Sequence, residues 1–464
     1  MSTRPVSLPR IGPAPFIAAA GLGAAVIVGV LTAHRVPLGM GVLIGLLYAP
    51  LVFFNFRVGL ALFIALTFIR FLPALSVGPN AAGILVLVAW VGTIADRRNA
   101  LREYAMRFPW LVGALLTLLV WIALSILWAT DPSFATSAIL TWVEVILLFL
   151  IVSTTPRSRR TVELLVWAFV GGALLSVVAG LATTGLHTSA SAIDTASQGE
   201  GRFGGGGDPN FLAAGLVPAI ALTAGLATTT RNVIARWALV VSAAILTVGL
   251  AATESRGGLV ATGAMLIAAV IFYKRRRAQV LLFFAVALSV GAVWFTASPS
   301  AWHRVTNFDG GGTGRSDLWK VAWQAGQDHP ILGVGLNNFR VVSADYVRKP
   351  GTLHFVDLIA EKPHVVHNMY LQMFTETGIV GVGLFLFFVG ACLRAAFKAA
   401  RRFDELGELA LGSLSRAVLV GTLGMLAASF FLSAAGDFRL WILLAFSPAL
   451  LALATRRPQS ELAE

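Results

Sequence analysis

HNMYLQMFTETGIVGVGLFLFFVGACL, running from His367 to Leu393, is the stretch on which the fold turns. From Met369 to Leu393 it carries a single charged side chain, Glu376, and as a helix it is long enough to cross the hydrocarbon core of a bilayer. A titratable imidazole, His367, stands just ahead of the apolar run.

The rest of the chain repeats this pattern. Hydrophobic residues make up 57% and charged residues 12% of 464, and the mean hydropathy is +0.81, far more apolar surface than polar side chains could cover in water. Apolar runs recur at 15–31, 36–54, 58–72, 81–95, 110–128, 138–152, 162–182, 211–227, 237–252, 258–273, 280–295, 369–393, 418–432 and 440–454. The expected architecture is therefore an all-α polytopic membrane protein of about 12–14 transmembrane helices. The first run follows Arg4 and Arg10 as a signal peptide would, but the second span comes at once, so it reads as an uncleaved helix.

With a cytoplasmic N-terminus, the clusters Arg97/Arg98/Arg102/Arg107, Arg157/Arg159/Arg160, Arg231/Arg236, Lys274 to Arg277, Arg394/Lys398/Arg401/Arg402 and Arg456/Arg457 all fall on the inside. That is the positive-inside pattern, and it puts both termini in the cytoplasm. It also accounts for the net charge of +13 without a nucleic-acid partner. The lone cysteine, Cys392, excludes an intrachain disulfide and a thiolate metal cluster. The outer face then receives residues 186–210, the link Glu254-Ser255-Arg256, and a large loop, 296–366, between the N-terminal helices (1–295) and the C-terminal helices (367–464).

Within that loop Ser316 or Asp317 is expected to cap a short amphipathic helix, with Leu318, Val321, Ala322 and Ala325 on its buried face and Trp319 and Trp323 at the membrane interface. Arg315 would stand beside the free N–H groups of that helix, where an anion binds well; a surface pairing with Asp317 or Asp309 is the plainer alternative. Arg256 lies in a tight turn between two spans, where a charge needs water, a partner or a ligand, and Glu254 is the ready partner. Arg202 precedes Gly204 to Gly207, which would let backbone approach a ligand closely. His367 reads either as an interfacial structural histidine or as a base. His364 and Glu361 lie near it, but Pro363 breaks the helical face a metal site would need, so no metal is expected. Glu376 is placed to orient a neighbouring group or close a buried polar network. Glu144, inside an apolar span, has either a functional or a hydrogen-bonded structural role.

His367-Asn368, nine residues, then Gly378-Ile379-Val380-Gly381 resembles the histidine signature of the bacterial O-antigen ligase and polymerase family. Ser255-Arg256-Gly257-Gly258-Leu259, His329-Pro330-Ile331-Leu332-Gly333-Val334-Gly335-Leu336-Asn337-Asn338-Phe339 and Asp208-Pro209-Asn210-Phe211-Leu212-Ala213 are similar to further motifs of that family in matching order, over roughly residue 208 to the C-terminus. The resemblance implies a bacterial inner-membrane glycosyltransferase, without a cofactor, that moves a glycan from undecaprenyl diphosphate to a lipid A-core type acceptor, or to another lipid-linked glycan. It implies His367 as catalytic base and Arg256 and Arg315 as diphosphate ligands, with Arg202, Asn368 and Glu376 as further site candidates. Glycosyl transfer from a lipid diphosphate needs a base for the acceptor hydroxyl and positive charge for the leaving group, and these residues supply both in a metal-independent, inverting scheme. A lipid or polysaccharide transporter would carry more charge within its spans than Arg70, Glu144 and Glu376.

Overall fold

In a computed structural model of the chain the described residues are 29, 36–69, 78–95, 100–184, 203–204, 207–274, 277–297, 315–347 and 364–455. Among them the protein is all α. In chain order the helices are α1 (Val36–Phe54), α2 (Phe56–Leu66), α3 (Gly78–Ala95), α4 (Ala100–Arg107), α5 (Pro109–Leu124), α6 (Pro132–Thr154), α7 (Arg159–Thr184) and α8 (Pro209–Thr229). They continue with α9 (Val233–Ala252), α10 (Arg256–Phe272), α11 (Arg277–Ala297), α12 (Arg315–Asp328), α13 (Phe339–Tyr346), α14 (Met369–Glu405), α15 (Leu409–Ala428) and α16 (Phe438–Ala454).

Every expected apolar run after the first falls on a helix where it is described, the run at 58–72 only as far as Leu66, with 70–72 outside the described residues; the run at 15–31 also lies outside them, apart from Gly29. Among the described residues seven helices are long and apolar enough to cross a membrane, 109–127, 132–154, 159–182, 209–229, 233–252, 369–405 and 409–431, and shorter apolar helices accompany them. This is a multi-pass membrane protein. The helices α8, α10, α14, α15 and α16 form its centre. Trp441, Phe446, Phe388 and Phe149 are fully buried there, and Trp441 stacks on Phe388 at 5.3 Å. Glycines let α8 and α15 approach closely: a Cβ on Gly225 would meet Ala417 at 2.6 Å, and one on Gly424 would meet Val217 at 2.7 Å.

Hydrogen bonds define two ends of the bundle. At one end Arg159 donates to the Thr229 carbonyl, Arg107 to Thr455 and Tyr273 to the Ser413 carbonyl, and Arg416 pairs with Asp404. The described basic clusters lie here. At the other end lie the starts of α8, α10, α14 and α16, together with α12 and α13. These last two share a small core of Leu318, Val321, Ala322, Ala325, Phe339, Val342 and Tyr346, which confirms the expected face of the amphipathic helix. Its start is different: the helix begins at Arg315, so Ser316 and Asp317 lie in its first turn instead of capping it, and buried Asp317 accepts from Lys320 at 3.1 Å.

Glu144 sits exposed on the flank of α6 and makes no hydrogen bond or ion pair among the described residues. The structural, hydrogen-bonded reading of that residue therefore fails.

Candidate active site

The chain signature of α14 contains a break that explains its glycine. Gly378 has φ 67° and ψ −173°, a conformation open in practice only to glycine, and it kinks the helix. The kink frees three carbonyls, and distant groups take them up. Val334 N–H donates to Thr375 O at 2.9 Å, Gly335 N–H to Glu376 O at 3.0 Å, and Trp121 Nε1 to Thr377 O at 2.9 Å. In return Ile379 N–H donates to Pro330 O at 2.8 Å. Gly333 and Gly335, both at positive φ, let the loop lie flat against the break: a Cβ on Gly333 would sit 2.4 Å from the Glu376 carbonyl carbon, and one on Gly335 2.6 Å from Ala129 Cα. The motifs at 329–339 and 367–381 are thus two halves of one joint.

Glu376, 3% exposed, locks the joint from the side: it accepts from Asn337 N–H at 2.8 Å and from Gln372 Nε2 at 3.1 Å. Of its two expected roles, the structure supports closure of a buried polar network. Asn338 extends the network by exchanging hydrogen bonds with the Asp131 backbone, at 2.6 and 3.2 Å, at the start of α6.

His367 precedes α14 with φ 54°, an unusual conformation for a residue with a side chain, and its N–H donates to Ser433 Oγ at 3.0 Å. Asn368 is the N-cap: its Oδ1 accepts from Tyr370 N–H and Leu371 N–H, both at 3.1 Å. That structural duty explains the His-Asn pair, since a capped helix start fixes the backbone from which the imidazole projects.

Arg256 is the first residue of α10. Its neighbour Ser255 caps the helix by accepting from Gly258 N–H at 3.1 Å and donates to Asn210 Oδ1 at 2.8 Å. Asp208 caps α8 just before Asn210, so the Asp208–Asn210 and Ser255–Gly258 motifs are stitched together. A Cβ on Gly257 would meet the Phe431 side chain at 3.1 Å. Phe431 lies 6.3 Å from the ring of Trp319, which stands one helical turn after Arg315, and Trp319 Nε1 donates to the Val366 carbonyl at 3.1 Å. The segments bearing Arg256, Arg315 and His367 therefore gather around the turn at 429–433. Arg202 lies outside the described residues.

Two features were not foreseen. A cavity of about 300 Å³ opens beside this turn, lined by Ser433, Glu376, Gln372, Asn337, Thr141 and Trp142 among others. Close by, Asp437 caps α16 and holds Arg439, 3% exposed, through Nε at 2.9 Å; the guanidinium lies over Phe68 and occupies space that only a glycine at 215 leaves open. An Asp two residues before an Arg at a span's start was the available signal. Among the described residues no three His, Cys, Asp or Glu side chains gather as metal ligands would.

Residues 241–386 match the O-antigen ligase family. The match takes in Arg256, Arg315, His367 and the whole joint, while Asp208–Ala213 falls before it. No curated protein matches the chain.

Proposed function

We propose that the protein transfers a glycan from undecaprenyl diphosphate to a glycolipid acceptor of the lipid A-core type, at the periplasmic face of a bacterial inner membrane. The gathering of the Arg256, Arg315 and His367 segments around residues 429–433 carries this reading. His367 is the general base. The acceptor oxygen attacks the anomeric carbon as its proton passes to the imidazole, the bond from that carbon to the phosphate oxygen breaks, and undecaprenyl diphosphate departs. A single displacement of this kind inverts the anomeric centre. Arg256 and Arg315, each at the first position of a helix, would neutralise the diphosphate, with the positive ends of α10 and α12 adding to their charge. Two arginines so placed can do what a divalent ion does in other glycosyltransferases, and the scheme uses no metal. The basic end of the bundle would then face the cytoplasm, with both termini on that side.

Purified protein in proteoliposomes, given an undecaprenyl-diphosphate glycan and either a lipid A-core acceptor or a second lipid-linked glycan, tests the assignment. Product on the lipid A core alone supports ligation. Elongation of the lipid-linked glycan alone would replace it with polymerisation, and transfer to neither acceptor would reject the substrate class.

A further inference from the structure

A second cavity, of about 390 Å³, lies at the opposite end of the bundle, where α6 ends at Thr154; its start, Asp131, touches the outer joint. Twenty-three residues of helix put the two ends roughly 35 Å apart. The cavity is walled by α2, α3, α4 and the end of α6, and three arginines line it, Arg57, Arg107 and Arg157, against one acid, Glu103. Arg57 makes no hydrogen bond or ion pair among the described residues, and Arg107 donates to a neutral partner, Thr455 Oγ1, at 2.6 Å. Burial also lowers the pKa of Arg107, a sign that its charge is only partly solvated. Tyr104 lines the same space; it is 8% exposed, and its hydroxyl is buried beside Ser153. Trp90 forms another wall, fixed by its Nε1 bond to Thr154 at 3.0 Å. Outside, Phe54 at 91% and Trp110 at 80% exposure mark the rim as membrane-facing.

We propose that this cavity binds a phosphate-bearing anion through Arg57 and Arg107. Its membrane-facing rim suits a phospholipid headgroup such as phosphatidylglycerol, with acyl chains lying on the exposed aromatic residues. A soluble phosphate would use the same contacts.

Native mass spectrometry of the full-length protein, titrated separately with phosphatidylglycerol, phosphatidylcholine and inorganic phosphate, distinguishes the sources. Wild type should retain phosphatidylglycerol over phosphatidylcholine. Arg107→Gln should lower that retention about fivefold and Arg57→Gln with Arg107→Gln further, since each arginine near an anionic headgroup contributes about that factor. Glu103→Gln, which removes the only acid lining the cavity among the described residues, should raise retention and guards against a loss caused by misfolding. Displacement of the lipid by millimolar inorganic phosphate would assign the cavity to a soluble phosphate compound. Equal retention of both lipids with no phosphate bound, or retention unchanged in the double arginine variant, would overturn the proposal.

Discussion

Gly378→Ala tests the joint that holds the candidate site together. At φ 67° and ψ −173° an alanine is strained by about 1–3 kcal/mol. Its Cβ would also fall 1.9 Å from Ile331 O and 2.7 Å from Leu332 N, backbone atoms that cannot rotate away, so the loop must shift and repack at a further cost of about 1–3 kcal/mol. The expected loss is about 2–6 kcal/mol, a large part of the roughly 5–15 kcal/mol that stabilises a folded protein. Because the strain lies between Ile331 and residue 378, the loop from Pro330 to Leu336 should loosen first. Differential scanning fluorimetry of detergent-solubilised protein reads the stability, and amide hydrogen exchange at residues 330–338 reads the joint. Gly383→Ala, five residues along the same helix and with nothing within 4 Å of its Cβ, should leave both unchanged. Gly378→Ala with wild-type melting and unchanged exchange at 330–338 would refute the reasoning.

Glu376→Ala removes the acceptor for Asn337 N–H and Gln372 Nε2, and should cost about 1–3 kcal/mol by thermal melting, with Glu376→Gln recovering part of it. Asp437→Asn leaves Arg439 buried beside Phe68 without its counter-charge and should lower stability by about 3–5 kcal/mol, read in the same assay. Hydrogen bonds from Ser133 hold the Asp131 carboxyl below the usual carboxylate range. A depressed folded-state pKa stabilises fully above the unfolded value of about 4 and is lost as pH falls through the folded value. The gap in melting temperature between wild type and Asp131→Asn should therefore close as pH is lowered from 6 to 3.

The spans were legible because each needs only local composition: 132–154, for example, reads as apolar whatever it packs against. Caps at Asp208, Ser255 and Asn368 carry local signatures too, though in the sequence Asn368 stands only as a further site candidate. The joint was not legible, because Gly378 makes sense only against Ile331, and nothing local pairs a loop with a kink some fifty residues away. The same holds for Gly215, whose missing side chain is explained by Arg439 of the last helix. The start of α12 was misjudged because Ser316 and Asp317 favour caps as strongly as they tolerate a first turn. The arginine and histidine segments were visible as motifs; that they meet at residues 429–433 follows from tertiary packing of α14 and α15.

In the proposed reaction His367 takes the acceptor proton while Arg256 and Arg315 hold the diphosphate. Transfer in proteoliposomes should be measured together with donor affinity for wild type, His367→Ala, Arg256→Gln and Arg315→Gln, with EDTA present throughout. His367→Ala should lose about 10²–10⁴-fold in rate at unchanged donor affinity, and each arginine variant should weaken donor binding as well as turnover. Wild-type transfer by His367→Ala, or abolition of wild-type transfer by EDTA, would contradict it.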